Sequence, residues 1–161
     1  MNSVGSSAAK PVSASKVVMT QLVLPGDTNS LGSVFGGTVM SWIDICAAIA
    51  AQRHSNSEVV TASLDQMSFV APVYKGWVVN LKASVNFVAK TSMEVGVRVD
   101  AENPKTGETF HTASAYLTFV AIGSDGKPVS VPQLILENDK DRRRFEKGKT
   151  RREYRVANRA K

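Results

Sequence analysis

The chain has one cysteine, Cys46, among 161 residues, so no internal disulfide can form and a reducing compartment, the cytoplasm, is the simpler expectation. No apolar run approaches the roughly 20 residues that a membrane-spanning helix needs, and no membrane partner is expected. Only two histidines occur, His54 and His111, and neither stands at a metal-ligand spacing from Cys46, so no metal site is expected. There is no Gly-x-Ser-x-Gly elbow for a serine hydrolase, and Gly36-Gly37-Thr38 lacks the rest of a phosphate loop. The first sixteen residues hold neither the apolar stretch of a secretory signal nor any arginine, and residues 1–15 are expected to form a disordered tail. A hydrophobic share of 43% and a charged share of 21% are ordinary for a globular protein, and the length fits one domain.

The charge that is present is unevenly placed. From Glu137 onward eleven basic residues face five acidic ones, which accounts for the whole net charge of +6 and leaves the body neutral. A basic tail on a neutral body points to nucleic acid less strongly than a basic face on the fold itself, so nucleic acid is not the expected partner. Residues 132–161 read as a basic C-terminal extension, a solvated helical or disordered segment, with contact to an anionic ligand as the alternative. Apolar residues there are confined to Leu134, Ile135, Leu136, Phe145, Tyr154 and Val156, and Gly148 would weaken any helix.

The rest is organised around Gly36 to Ala51, which reads as one helix entered through two glycines. At about 100° per residue, Val39, Ile43, Cys46 and Ala50 share a stripe suited to packing on a sheet. Asp44, the only ionisable side chain besides Cys46, falls on a neighbouring face with Met40, Ala48 and Ala51. An unpaired charge on an apolar helix costs several kcal/mol to bury, so Asp44 is expected to be enclosed by a partner. Before the helix, Lys16 to Leu24 reads as a strand closed by Pro25-Gly26-Asp27. After it come strands over Glu58 to Phe69, Trp77 to Ala89, Met93 to Glu102 and Glu108 to Ile122. Short joints suggest that the last four form a meander, giving an α+β fold with an antiparallel sheet of about five strands covering one helix.

Three features can carry chemistry: Asn29, the Gly36-Gly37 entrance with its free backbone N–H groups, and Asp44 as general base or nucleophile. Together they suit acyl transfer to water. Gly37 and Asp44 are seven residues apart, about 10 Å along a helix, and an aspartate reaches only a few ångströms. If they cooperate, one subunit supplies the helix entrance and another Asp44, in a composite site across a two-fold dimer. The alternative is that Asp44 makes a buried hydrogen bond at a subunit contact and does no chemistry. His54, just after the helix, reads as a surface or capping residue, and His111 as structural.

Pro25-Gly26-Asp27-Thr28-Asn29, then Gly32, Phe35-Gly36-Gly37, Met40 and Asp44, resemble the signature of the hot-dog-fold acyl-CoA thioesterases, specifically the bacterial YciA-like and mammalian brain (cytosolic) acyl-CoA hydrolase group. The similarity continues through Asp65-Gln66-Met67-Ser68-Phe69, Pro72, Gly76, Lys90-Thr91-Ser92 and Thr118-Phe119-Val120 into the basic extension. Phe35 stands where mammalian members have histidine. The resemblance implies a hot-dog domain over residues 16–131, a long helix wrapped by a curved antiparallel sheet. It also implies dimers assembled as trimers of dimers, a homohexamer. It implies hydrolysis of acyl-CoA to fatty acid and coenzyme A, with coenzyme A as part of substrate and product and no cofactor. The implied catalytic pair is Asn29 and Asp44 from opposite subunits, with N–H groups near Gly37 polarising the thioester carbonyl. Gly36 then lies at the substrate, and Lys90, Thr91 and Ser92 either contact coenzyme A or form a polar strand junction. The rival is a non-catalytic acyl-CoA-binding sensor. Acyl preference would depend on packing around Met40, Trp42 and Met67.

Overall fold

The computed structural model describes residues 8–159. In chain order these form β1 (Lys10–Pro11), a 3₁₀ turn over Val12–Ser15, β2 (Val17–Leu22), helix α1 (Gly36–Ser55), β3 (Glu58–Phe69), β4 (Val78–Val88), β5 (Ser92–Glu102), β6 (Thr109–Ile122), β7 (Leu134–Ile135) and helix α2 (Asp139–Ala157). Five strands make one antiparallel sheet in the order β2-β4-β5-β6-β3, and β1 pairs in parallel with β7 apart from it. One face of the sheet packs on α1, the arrangement expected of a hot-dog fold.

The strand spans fall within a residue or two of those expected, because each is an alternating β-branched run closed by a turn. The meander is correct only for β4, β5 and β6. Strand β3 pairs with β6 at the far edge, so residues 70–77 cross the sheet and make no hairpin. Backbone bonds from Val70 N to Thr112 O (2.7 Å) and from Val34 N to Val73 O (2.8 Å) hold that crossing against β6 and the loop before α1. Eight residues including Pro72 are too many, and too poor in donors, for a tight turn.

The apolar stripe of α1 is buried as its periodicity requires, with Val39, Ile43, Cys46 and Ala50 at most 1% exposed. They meet the inward rows of the sheet, among them Leu81, Val97, Val99, Ala115 and Phe119. Each such aliphatic side chain contributes roughly 1.5–3 kcal/mol on burial. The stripe continues one step further than expected. His54, four residues beyond Ala50, is fully buried, and its Nε2 lies 2.8 Å from the carbonyl oxygen of Pro132. It is therefore neither a surface residue nor a cap, but joins the end of α1 to the start of the C-terminal extension.

Residues 1–7 of the expected disordered tail lie outside the described residues, and residues 10–15 are ordered. Lys10 N donates to Gln133 O at 3.0 Å, Ser13 N to Glu137 Oε1 at 2.9 Å, and the buried Ser15 hydroxyl accepts from Val85 N at 2.9 Å. Those donors and acceptors come from the extension and from β4, which composition alone could not reveal. The extension itself is a docked element. Asn138 caps α2 by accepting from Asp141 N at 2.9 Å, and α2 covers the outer ends of β4 and β5. Phe145 packs on Phe87 with ring centroids 4.9 Å apart, and Arg151 makes a bidentate pair with Glu94 (2.9 and 2.7 Å), itself only 3% exposed. Gly148, expected to weaken a helix, instead permits this one to approach: a Cβ there would stand 2.9 Å from Phe87 Cβ and 3.1 Å from Glu94 Oε1.

Two outcomes follow from this packing. Gly148→Ala, which propensity alone would make stabilising by about 1 kcal/mol, should lower Tm, because overpacking of about 1–3 kcal/mol outweighs the gain. A raised Tm in that variant would mean that α2 does not rest on the sheet as described. Burial holds the His54 pKa below its ordinary value, against the opposing effect of its bond to Pro132. Its neutral form is the folded form, so its contribution is complete above the unfolded pKa of about 6.5 and is lost as pH falls below that value. Tm should therefore decline between about pH 7 and pH 5.5, with a shallower slope in His54→Gln.

Candidate active site

Helix α1 carries both halves of the candidate site, at different heights. Its entrance has no side-chain cap. Phe35 N is engaged with Asp27 O at 2.9 Å, and Thr38 N and Val39 N bond to Phe35 O at 3.0 and 3.2 Å. Among the described residues the N–H groups of Gly36 and Gly37 have no hydrogen-bond partner. They sit at the positive end of the helix dipole, where a polarised oxygen is stabilised. Gly36 borders a cleft of about 370 Å³ lined also by Ser33, Val39, Phe69, Pro72 and Thr112.

Asn29 lies in the loop that delivers the chain to this entrance. Its Oδ1 accepts from Leu31 N at 2.9 Å and from Ser33 N at 3.3 Å, while its amide and the Ser33 hydroxyl lie 3.0 Å apart. The side chain is thus fixed by its own turn, an Asx-type arrangement that the sequence Asn-Ser-Leu-Gly-Ser favours. In one chain it makes no bond to Asp44.

Asp44 is two turns further along. It is half-buried in a second, mainly apolar cavity of about 290 Å³, lined by Met40, Ile43, Thr61, Leu64, Met67 and Leu117. The Thr61 hydroxyl donates to Asp44 Oδ1 at 2.8 Å. Oδ2 has no bonded partner among the described residues, leaving one carboxylate oxygen held and one open to a proton or an electrophile. Met40 and Met67 line this cavity as expected; Trp42 does not, being 8% exposed and packed into the core. Thr61 was not identifiable beforehand. In a strand of mixed polar and apolar residues nothing distinguishes it until β3 is placed opposite α1.

Lys90, Thr91 and Ser92 form the β4–β5 turn. Lys90 O and Thr91 O accept from Val131 N and Ala121 N at 3.0 and 2.9 Å. Ser92 pairs with Val120, which pairs with Val60 at the start of β3, whereas Gly36 stands beside Phe69 at its end. The separation is on the order of 25 Å, so one chain does not bring this turn to the helix entrance.

Other reactive groups are accounted for. Burial pushes the Cys46 thiol up to about 11, so it is not an available nucleophile near neutral pH. His111 lies on the outer face between Ser114 Oγ (3.1 Å) and Asp100 (3.4 Å), as a structural residue. Three of the basic residues of α2 are engaged, Arg142 with Asp139, Arg151 with Glu94 and Arg155 with Asp65. No group of three or more metal-ligating side chains occurs among the described residues, and no helix there is long and apolar enough to cross a membrane.

Comparison with known proteins bears on the family and the fold. Residues 31–108 match the Thioesterase superfamily. The chain is 46% identical over 127 residues to the Bacillus subtilis (strain 168) protein named uncharacterized acyl-CoA thioester hydrolase YkhA, covering 79% of this chain and 74% of that one. It is 38% identical over 142 residues to the cytosolic acyl coenzyme A thioester hydrolase of Rattus norvegicus, where it covers 87% of this chain but spans only 37% of that longer protein. A crystal structure of an apo-hexameric acyl-CoA thioesterase superposes with a TM-score of 0.89 at 42% identity, over 92% of this chain and 96% of that one. The Staphylococcus aureus acyl-CoA hydrolase, solved with butyryl coenzyme A and coenzyme A, gives 0.88 at 37% identity over 94% and 93%. Structures of that enzyme also exist with alanine in place of one aspartate, one asparagine or one threonine.

Proposed function

The chain belongs to the Thioesterase superfamily, among its acyl-CoA thioester hydrolases, and from that premise we propose that it cleaves acyl-CoA through a site shared between two subunits. The observation that carries the reading is Asp44, one oxygen held by Thr61 and the other open inside an apolar cavity large enough for part of an acyl chain. The three residues replaced in the Staphylococcus aureus structures are separated by the same intervals as Asn29, Asp44 and Thr61, which supports giving these three the site roles.

In the reaction the thioester carbonyl oxygen accepts hydrogen bonds from the Gly36 and Gly37 N–H groups, which stabilise it as it gains negative charge. Asp44 takes a proton from the attacking water, or attacks the carbonyl itself, and Asn29 holds the water or carbonyl in line. On the general-base route water supplies the new carbon–oxygen bond, the carbon–sulfur bond breaks and Asp44 returns the proton to the departing coenzyme A sulfur; on the nucleophilic route the carbon–sulfur bond breaks to leave an acyl anhydride on Asp44, which a water hydrolyses to the fatty acid while its proton goes to the thiolate. Lys90, Thr91 and Ser92 are assigned to coenzyme A only through a neighbouring subunit, since their own chain holds them at the far end of the sheet.

The edge strand supports the subunit contact. Strand β3 has a neighbour on one side only, and Val60, Leu64, Phe69 and Val70 are 38–66% exposed on or just beyond it. An uncovered apolar edge invites association, and here it borders the Asp44 cavity. The hexameric relatives support a hexamer, which we read as a trimer of two-fold dimers. The cytosolic name of the rat relative and the buried free thiol of Cys46 support a cytoplasmic location.

Free-thiol release from a series of acyl-CoA substrates tests the activity. Asp44→Ala should lower kcat by about 10²–10⁴-fold while leaving acyl-CoA binding in place. Full turnover in that variant would remove Asp44 from the mechanism, and binding without turnover by the unaltered protein would favour the sensor. Mixing subunits tests the sharing. In a dimer of one Asn29→Ala and one Asp44→Ala chain, one site carries both lesions and the other neither, so random co-assembly should restore about a quarter of normal activity. No recovery would place both residues in one chain's site.

A further inference from the structure

Strand β3 departs from a regular strand in a way that bears on the cleft. Its pairing with β6 slips twice, between Thr61 and Ser63 and again between Leu64 and Gln66, so that Ala62 and Asp65 are extra residues with no partner opposite. In an unbroken strand, residues three apart point to opposite faces. Thr61, Leu64 and Met67 are three apart, yet all three line the Asp44 cavity. Each bulge absorbs one residue, so that the second residue after it, Leu64 and then Met67, returns to the inner face. The hydrogen bond from Thr61 to Asp44 and the apolar wall beside it therefore both depend on the bulges persisting.

The second bulge is pinned from outside the sheet. Asp65 Oδ2 accepts from an Arg155 guanidinium nitrogen, and Asp65 Oδ1 from the Ser63 hydroxyl at 3.0 Å. Both side chains of the ion pair are 18% exposed, more sheltered than an ordinary surface pair. Arg155 is delivered by α2, which is anchored about one turn earlier by the buried Glu94–Arg151 pair and, nearer its start, by Phe145 on Phe87. Arg155 reaches neither Asp44 nor its cavity directly.

We propose that the Asp65–Arg155 pair is a positioning device, through which the C-terminal helix holds the second bulge of β3 and so keeps Thr61, Leu64 and Met67 arrayed around Asp44. This assigns part of the basic extension to the reaction without contact with substrate, and it rests on the cleft at Asp44 being the hydrolytic site. Losing the pair frees Asp65 to slide back into regular pairing, which turns Leu64 or Met67 outward and changes the acyl wall unevenly. Short acyl chains, which need little of that wall, should suffer least.

The experiment compares Arg155→Ala, Asp65→Asn and the exchanged pair Asp65→Arg with Arg155→Asp in the intact oligomer. Three readouts are taken: hydrogen–deuterium exchange over residues 58–69, Tm, and kcat and KM across acyl lengths. Each single variant should exchange faster over 58–69 and lose about tenfold in kcat/KM for long acyl-CoA with a smaller loss for short ones, and the exchanged pair should recover both. Unchanged exchange over 58–69, or an equal loss at every chain length that follows Tm, would overturn the proposal. If the unaltered protein hydrolyses no acyl-CoA, the functional reading fails alone, and the exchange measurement still decides whether the pair holds the bulge.

Discussion

The rigidity of α1 sets the terms for everything else. Its hydrogen-bonded backbone fixes the free N–H groups at Gly36 and Gly37 about 10 Å from Asp44, and neither end can move toward the other without breaking the helix that the core is built on. A thioester carbonyl is much smaller than that gap. A single chain thus displays two unconnected half-sites, an electrophilic entrance over one cleft and a carboxylate in another. On the reading proposed above, chemistry at either needs what the other offers, and a two-fold partner is the simplest source. The bond from Thr61 to Asp44 matters for the same reason, because it orients the carboxylate through one oxygen and leaves the other without a partner among the described residues.

The net charge is explained locally. Glu94 sits under the outer surface of β5 at 3% exposure, where an unpaired carboxylate would cost several kcal/mol, and Arg151 supplies both the charge and the bidentate geometry that offset this. Arg151 also lies 3.7 Å over the Tyr116 ring. Part of what looks in the sequence like a solvated cationic tail is therefore the covering layer of the sheet. Gly148 makes that cover possible by leaving room for Phe87 and Glu94.

Much of the architecture could be read from periodicity alone. The spans of the main-sheet strands and the start of α1 follow from 2- and 3.6-residue repeats bounded by turn residues, but α1 runs four residues past the expected Ala51, to Ser55, because polar residues 52–55 continue the helix until Asn56 takes the left-handed conformation that ends it. Strand order could not be read, because the choice between a hairpin and a crossing for residues 70–77 depends on whether β6 or β4 offers β3 the better edge. His54 was legible in principle, since it continues the stripe of Val39, Ile43, Cys46 and Ala50, but a histidine after an apolar helix looks like a polar terminus. At the site, Asp44 stood out as a lone charge on an apolar helix, and Asn29 by its place before the helix entrance. Thr61 and Asp65 did not stand out, because their importance comes from bulges that exist only once β3 is paired with β6. The packing of α2 was hidden by composition: a face of Phe145, Gly148, Arg151 and Arg155 has almost no hydrophobic signal, and its contacts are a tilted ring pair, a close approach and two ion pairs.

The candidate site lies at the sheet's edge, on the strand that carries those two bulges. An interior strand must keep register with two neighbours, so an extra residue disrupts two ladders; an edge strand has one ladder to disturb. Interior strands of this sheet tolerate single extra residues, Asn86 in β4 and Thr112 in β6, whereas β3 carries two, and as an edge strand it disturbs only one ladder in doing so. That edge in turn leaves Val60, Leu64 and Phe69 with too little cover in one chain. The irregularity that shapes the cavity around Asp44 and the exposed apolar surface therefore lie on one strand. On the reading proposed above, the strand that builds the half-site around Asp44 is also the one that offers an apolar edge to a second copy.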